Sequence, residues 1–360
     1  MPDATMKTPS TARRKGVATR RGLLPLTLTA GLVLAACGDN GGGGDAAGED
    51  GDDPAVELLA ANINSAEVPT IRCGWLPLED NERLAEANIS IRNSIAAEMG
   101  NEGQLLQQGS SGEIDLVSGV ASIMASTFDQ PRMEMFEAYY LYDDVDDLER
   151  VRELDVTQEI FEEFEEETNL RVVGSTPWLY GERHIFGTKE VKTPEDLAGF
   201  RLRVPETPLS IASATAMGAN PTPVAYAEVY VALQQGIVDG SEAPIAIISG
   251  ESFDEPISHV NLTNHLITGI HPFINTDTWE SLTENQQEAL TEAIDEGAQM
   301  VRDCVEEDEA AALERWEEEG TVTVVEDVDV DAFRELLQEE YSDGYVWSED
   351  YQALLEEMRQ

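Results

Sequence analysis

The sequence predicts an α/β fold of two lobes, and three observations predict it. Residues 193–244 read as strand, helical crossover and strand, the repeating unit of an α/β sheet. Residues 283–320 read as one helix long enough to brace more than a single lobe. The roughly 300 residues that carry apolar periodicity also exceed one comfortable core, which divides the chain in two.

Within residues 193–244, Thr193-Pro194-Glu195-Asp196 starts a short helix, with a threonine cap, proline at the first helical position and acids facing the positive helix end. Phe200-Arg201-Leu202-Arg203-Val204 then alternates with period two, so Phe200, Leu202 and Val204 share one face and both arginines the other. Pro205 ends this strand. A helix over residues 209–217 follows, then a helix over 227–235 and a short apolar strand, Ile237-Val238-Asp239, before Gly240. Ligands of such sheets sit beyond the carboxyl ends of the strands. Arg203 lies nearer that end than Arg201 and points off the apolar face. A fixed guanidinium there suits a carboxylate, held through two parallel hydrogen bonds.

From the N-terminus, residues 1–36 read as a lipoprotein-type signal peptide. Arg13, Arg14, Lys15, Arg20 and Arg21 form a basic region, and an apolar stretch too short to span a bilayer comfortably follows. Leu34-Ala35-Ala36-Cys37 resembles a bacterial lipobox, which implies cleavage before Cys37 and lipid attachment to its sulfur. The Arg20-Arg21 pair also resembles a twin-arginine export signal, so the Sec and twin-arginine routes both stay open. Residues 37–67 then form an acidic, Gly-rich linker.

The whole chain carries a net charge of −50. The part after residue 36 holds 16 basic against 71 acidic residues, with Lys189 and Lys192 its only lysines. Such a surface repels itself unless salt screens it, which points to a saline habitat. It excludes nucleic-acid binding. It also means that an anionic ligand must be won locally, by desolvated arginines in a cleft.

The folded part begins with a strand over residues 68–75 and a second at Ile89-Ser90-Ile91-Arg92. Residues 101–108 read as a helix, residues 112–119 as a turn into a buried strand, and residues 143–152 and 157–168 as helices, the latter ended by Asn169. Residues 170–175 return as a strand, and residues 262–274 are strand-like. Thr283-Glu284-Asn285-Gln286 is a capping box that opens the long helix, and Gly320 closes it. After a short strand at residues 321–325, acidic helix follows with Phe333, Leu336, Leu337, Tyr341 and Trp347 facing inward. Export permits a disulfide between Cys73 and Cys304, but Cys73 falls in a strand and Cys304 in a helix, so two separate buried thiols are the expectation and the bridge the alternative.

Catalytic signals are missing. His184, His259, His265 and His271 show no zinc-site spacing, no nucleophile elbow or phosphate loop occurs, and the abundant carboxylates single out no acid–base pair. No cofactor, metal or catalytic residue is therefore assigned, and nothing argues for an enzyme.

An ordered series of segments resembles the DctP-type solute-binding proteins of tripartite ATP-independent periplasmic (TRAP) transporters. It runs through GEIDL (residues 112–116), VKTPEDLAGFRLRVP (191–205), GANPTPV (218–224), EVYVALQQGIVDG (228–240), LTNH (262–265) and WESLTENQ (279–286). The resemblance implies a periplasmic-binding-protein-like fold, two α/β lobes around a ligand cleft with a long helix crossing both. It divides the chain into lobe I, residues 68–180 and 269–308, and lobe II, residues 181–268 and 309–360.

The second arginine of the VKTPEDLAGFRLRVP run, Arg203, matches the family's carboxylate anchor. Arg183 matches a second, assisting basic position, and Tyr226 an aromatic position that packs on the ligand. Two departures stand out. Where the family commonly reads Gln-Glu-Asn-Pro, this chain has Ser241-Glu242-Ala243-Pro244, so the pocket should be more apolar or roomier at Ala243. The region between Trp75 and Ile89 is too short for the family's usual long first helix, and Trp75 is placed either to face the cleft or to pack in the core. The expectation is an exported receptor, lipid-anchored at Cys37 to the outer face of the cytoplasmic membrane. It would bind a small carboxylate and deliver it to a TRAP permease for uptake driven by an ion gradient. A sensing protein that presents the ligand to a membrane receptor kinase is the alternative.

Overall fold

The computed structural model describes residues 53–358. The signal peptide, Cys37 and most of the linker lie outside the described residues. The linker ends sooner than expected, because Val56–Ala61 is already strand β1, paired in parallel with β2 (Ile89–Ser94). Its apolar residues alternate poorly, Leu58, Ala60 and Ala61 all being buried, as befits a strand covered on both faces.

Between these strands the chain is helical. Residues 68–75, expected as a strand, form a π-helical turn at Thr70–Trp75. Val68, Ile71 and Trp75 are all fully buried, and their spacing of three and four is that of a helix face rather than of a strand. A short helix, α1 (Glu82–Glu86), then leads into β2.

The next units are α2 (Glu102–Ser111), β3 (Leu116–Gly119), α3 (Ala121–Phe128), α4 (Asp146–Arg152) and α5 (Asp155–Thr168). Asn101 and Gln104 close a reciprocal capping box on α2, which fixes where that helix begins. Strand β4 (Leu170–Val172) and the long β5 (Trp178–Gly187) follow.

The stretch centred on Arg203 folds as β6 (Arg201–Val204), α6 (Pro208–Ala216), β7 (Asn220–Pro223), α7 (Val229–Gln234) and β8 (Gly240–Pro244). The first strand and the two helices are as predicted, but residues 220–223, for which no strand is expected, form β7 in parallel with β6, and the last strand is displaced. Ile237-Val238-Asp239 is a turn, where Arg201 ion-pairs with Asp239 and donates to the Gly236 and Ile237 carbonyls. Pairing starts at Gly240, where a Cβ would lie 2.1 Å from the Phe186 carbonyl oxygen; only glycine lets the strands approach so closely.

After α8 (Ile245–Gly250), the 17-residue β9 (His259–Asn275) ties the sheet together. The strand order is β2-β1-β3-β9-β5-β8-β6-β7, with β4 and β10 (Thr323–Val325) also pairing β9. β9 runs antiparallel to β3 at one end and to β5 at the other, so it belongs to both halves of the sheet. Helices α9 (Thr276–Ser281), α10 (Glu284–Glu319), α11 (Val330–Tyr341) and α12 (Ser348–Met358) complete the chain.

The long helix forms as its caps dictate. Thr283 and Gln286 make the capping box, and Gly320 ends α10 in the left-handed conformation at φ 63°. Its 36 residues span about 54 Å at the usual rise. It packs on the π-helical turn, on β5 and on α8, bridging both halves of the sheet. Trp178 packs on Trp75 with the ring centroids 5.0 Å apart and the planes tilted by 57°, and it donates from Nε1 to the Ile294 carbonyl of α10.

The two cysteines are not separate thiols: Cys73 and Cys304 are disulfide-bonded across a Cα–Cα distance of 6.6 Å. The helical turn explains this correction, since it carries Cys73 against α10 where an extended strand would not. Among the inward residues expected in α11, Leu336 is 37 % exposed, while Phe333, Leu337 and Tyr341 are buried.

Candidate functional site

A cavity of about 510 Å³ lies where β5, β6 and β8 face α2 and α3. Its wall includes Arg183, Arg203, Tyr226, Glu242 and Ala243, together with Glu102. The fold thus brings together four of the residues singled out from the sequence.

Arg203 stands on β6, 5 % exposed. Its Nε donates to the Val224 carbonyl at 2.8 Å, and no carboxylate among the described residues forms an ion pair with it. Burial depresses its pKa from the usual arginine value, the Glu242 charge opposes that, and the neighbouring Arg183 charge adds to it. One nitrogen anchored and the terminal nitrogens without a protein acceptor make a rigid, partly prepaid fork for an incoming anion.

Arg183 is different. Across the antiparallel β5–β8 pair it lies opposite Pro244, two residues from Glu242, so both side chains emerge on one face. Nε and Nη2 of Arg183 both donate to the Glu242 carboxylate, Nη2 at 2.8 Å, in a bidentate pair that is buried on both sides. Burial works against each charge, but the surrounding groups together outweigh it: chiefly Glu242 for Arg183, and Arg183 with the nearby His265 for Glu242. Arg183 is held above its usual value and Glu242 is brought down to about 2.

His265 lies 3.6 Å from Glu242 and shares a 2.8 Å hydrogen bond between Nδ1 and the Thr263 hydroxyl. Burial lowers its pKa, so the ring is neutral and leaves the arginine–glutamate pair as the local charge balance. Glu137, also buried, bonds the Ser122 hydroxyl behind this cluster, and burial raises its pKa.

Tyr226 lines the same cavity and meets Phe253 edge-on at 6.1 Å. Burial raises the Tyr226 phenol, so it stays protonated. Ala243 faces the cavity with Val224, Ile247 and Phe253 nearby in the wall, which makes this end apolar. Trp75 is placed elsewhere. It is fully buried against Trp178 beneath α10 and does not line the cavity, because its segment is a helical turn rather than a strand ending at the cleft.

Two residues escaped the sequence reading. Glu242 sits in a run of ordinary-looking residues, and only the β5–β8 register makes it the partner of Arg183. Glu102 occupies the first turn of α2, where an acid is read as a helix-end preference, yet it forms part of the cavity wall. The shortage of unpaired cations in so acidic a chain was the available hint that each buried arginine needed its own accounting.

Residues 79–346 match the bacterial extracellular solute-binding proteins of family 7, DctP. The chain is 28 % identical over 285 residues to the sialic acid-binding periplasmic protein SiaP of Vibrio cholerae, a match spanning 79 % of this chain and 86 % of that one. A TRAP periplasmic solute binding protein of Roseobacter denitrificans, solved with bound 3-deoxy-D-manno-oct-2-ulosonic acid, superposes with a TM-score of 0.76 at 25 % identity, over 85 % of this chain and 99 % of that one. A second protein of that organism, solved with bound L-galactonate, gives a TM-score of 0.74 at 25 % identity, over 83 % and 98 %. The fold is the two-lobed α/β fold of periplasmic binding proteins. The chain belongs to the DctP family of bacterial extracellular solute-binding proteins, whose members are receptors of TRAP transporters and not enzymes.

Proposed function

We propose that this receptor captures a small organic acid through Arg203 and hands it to the membrane permease of a TRAP transporter. The observation that carries the reading is the buried Arg203 guanidinium, tethered once to the Val224 carbonyl and without an acidic partner among the described residues, at the wall of a cavity large enough for a small solute. Arg183 assists from within its pair with Glu242, and Tyr226 offers a ring and a neutral hydroxyl. Ala243 leaves that end of the wall small and without a hydrogen-bonding side chain.

Lobe I comprises residues 68–180 and 269–308 with β1 added, and lobe II residues 181–268 and 309–360. Closure of the lobes removes water from the Arg203–carboxylate contact and strengthens it. Cys37 carries the lipid that holds the receptor at the outer face of the cytoplasmic membrane, with the acidic linker as tether. The bound carboxylates of the Roseobacter denitrificans structures support an acid as cargo.

Mass spectrometry of the solute released from purified protein identifies the acid, and calorimetry at high salt measures its affinity. Arg203→Ala should weaken binding by about 2–5 kcal/mol, as for other buried charge contacts. Unchanged affinity would remove Arg203 from the site. A Cys37→Ser variant recovered from the membrane fraction as fully as the wild type would remove the anchor.

A further inference from the structure

The cavity holds a second, opposite charge that the carboxylate reading leaves unused. Glu102 lies in its wall, with Oε1 accepting the Val120 N–H at 2.7 Å. The carboxylate rests where Gly119 has no side chain: a Cβ there would come within 2.8 Å of Oε1. No arginine or lysine among the described residues is ion-paired with it, since Arg183 is committed to Glu242 and Arg203 is the free cation of the site.

A second unmatched group shares this wall. Asn62 is 5 % exposed, and its Oδ1 accepts from the Ser118 hydroxyl at 2.8 Å, while its Nδ2 has no hydrogen-bond partner. Asn62, Ser118 and Thr127 all line the cavity with Glu102, opposite in character to the apolar end around Ala243 and Phe253. One acceptor and one orphaned donor on the same wall call for a group that can both give and take a hydrogen bond. A hydroxyl does both; an ammonium cannot accept, and a carboxylate cannot donate and is repelled by Glu102.

We propose that Glu102 sets the specificity of the cavity, accepting a hydroxylated monocarboxylate whose hydroxyls meet Glu102 and Asn62, and rejecting an acid that brings a second carboxylate to that wall. The inference rests on the assignment of Arg203 as carboxylate anchor. The surrounding groups add a dependence on pH. Burial raises the Glu102 pKa to about 7 against the pull of the Val120 N–H; Glu137 adds to the rise, and Arg183 and Arg203 oppose it. Below this pH the carboxyl is protonated and the penalty on a second carboxylate fades; above it, the penalty is complete.

L-galactonate and galactarate form a matched pair of probes, differing only in a terminal hydroxymethyl or carboxylate, and hexanoate is the probe without hydroxyls. Calorimetry is run at about pH 6 and about pH 8 in high salt, which screens the acidic surface of the whole chain. At the higher pH the wild type should bind galactonate at least about tenfold more tightly than galactarate, a ratio that shrinks at the lower pH. Glu102→Gln keeps the acceptor and removes the charge; it should narrow the ratio to below about threefold and abolish its pH dependence.

Equal affinity of the wild type for the two acids, or a ratio unmoved by Glu102→Gln, overturns the proposal. So does hexanoate binding as tightly as galactonate, an outcome that leaves the carboxylate reading standing. Binding of none of the three by folded wild type overturns that reading and this inference together.

Discussion

Arg183 and Arg203 are buried to nearly the same degree in one cavity, yet only one of them has a charge partner among the described residues. Arg183 is locked to the Glu242 carboxylate by two hydrogen bonds; Arg203 has a single carbonyl. Burying a charge is costly, and the two arginines meet that cost in different ways. The pair on β5 and β8 is settled when the chain folds. The charge on β6 has no carboxylate partner among the described residues, and in the proposed function an arriving anion supplies it, so folding stability would be given up in favour of binding. The comparison teaches that an arginine in a pocket is a ligand anchor only if its own protein has not already neutralised it.

The largest effect expected from this contrast is on stability. Arg183→Met strands the buried Glu242 carboxylate and should lower unfolding stability by about 3–5 kcal/mol in denaturant titrations. Adding Glu242→Leu should recover most of that loss, because the variant then buries no unpaired charge. A single Arg183→Met variant as stable as the wild type would show that the pair is not the balance point described.

Arg203→Ala should behave in the opposite way. It removes about 2–5 kcal/mol of ligand binding while leaving the denaturation midpoint of the ligand-free protein unchanged or raised. A destabilised Arg203→Ala protein with intact affinity would invert the comparison and is the sharpest way to break it.

The two carboxylates of the cavity extend the contrast to pH. Glu242 is held at about 2, so its contribution is present above the ordinary glutamate range and lost only as pH falls through about 2. Glu102 is raised to about 7, so the folded state binds its proton more tightly than the unfolded chain does. That stabilisation is complete at low pH and is lost as pH rises from the ordinary glutamate range through about 7. In the ligand-free protein, Glu102→Gln should therefore gain about 1–2 kcal/mol relative to wild type at about pH 8 and nothing at about pH 4, allowing for solvation from the cavity. Burial and the neighbouring Glu182 raise Glu309 through the same window, so the measurement is the difference between variant and wild type rather than either curve alone.

The smallest effect is expected at the apolar end. Ala243→Ser adds one hydroxyl to the wall and should tighten binding of a hydroxylated acid by about 0.5–1.5 kcal/mol, the net worth of one hydrogen bond. Looser binding would mean that the space beside Ala243 is filled by an apolar part of the ligand.

Much of the architecture was legible because local rules carry it. The period-two run from Phe200 to Val204 specified both the strand and the side on which Arg203 emerges. Caps at Thr283 and Gly320 bounded a helix of 36 residues. Other features were illegible locally. Residues 68–75 have apolar positions at helical spacing inside a stretch rich in strand formers, and burial under α10 decides for the helical turn. That same turn brings Cys73 to Cys304 across 231 residues of sequence. Of the two places open to Trp75, cleft or core, the cleft depended on an extended segment, and the helical turn puts the ring in the core.

By itself, the sequence determined the elements whose signals are short-range: caps, alternation, proline and glycine stops, and an arginine at the end of a strand. It also determined the acidic excess that obliges an anion to be held by a local cation. Which arginine is left without a carboxylate partner among the described residues was a tertiary decision. Arg183 and Glu242 lie 59 positions apart on two strands, Glu102 joins the cavity from helix α2, and each one's charge balance depends on strand register and burial. Electrostatic compensation acts through space, over a few ångströms, between residues that sequence order does not bring together.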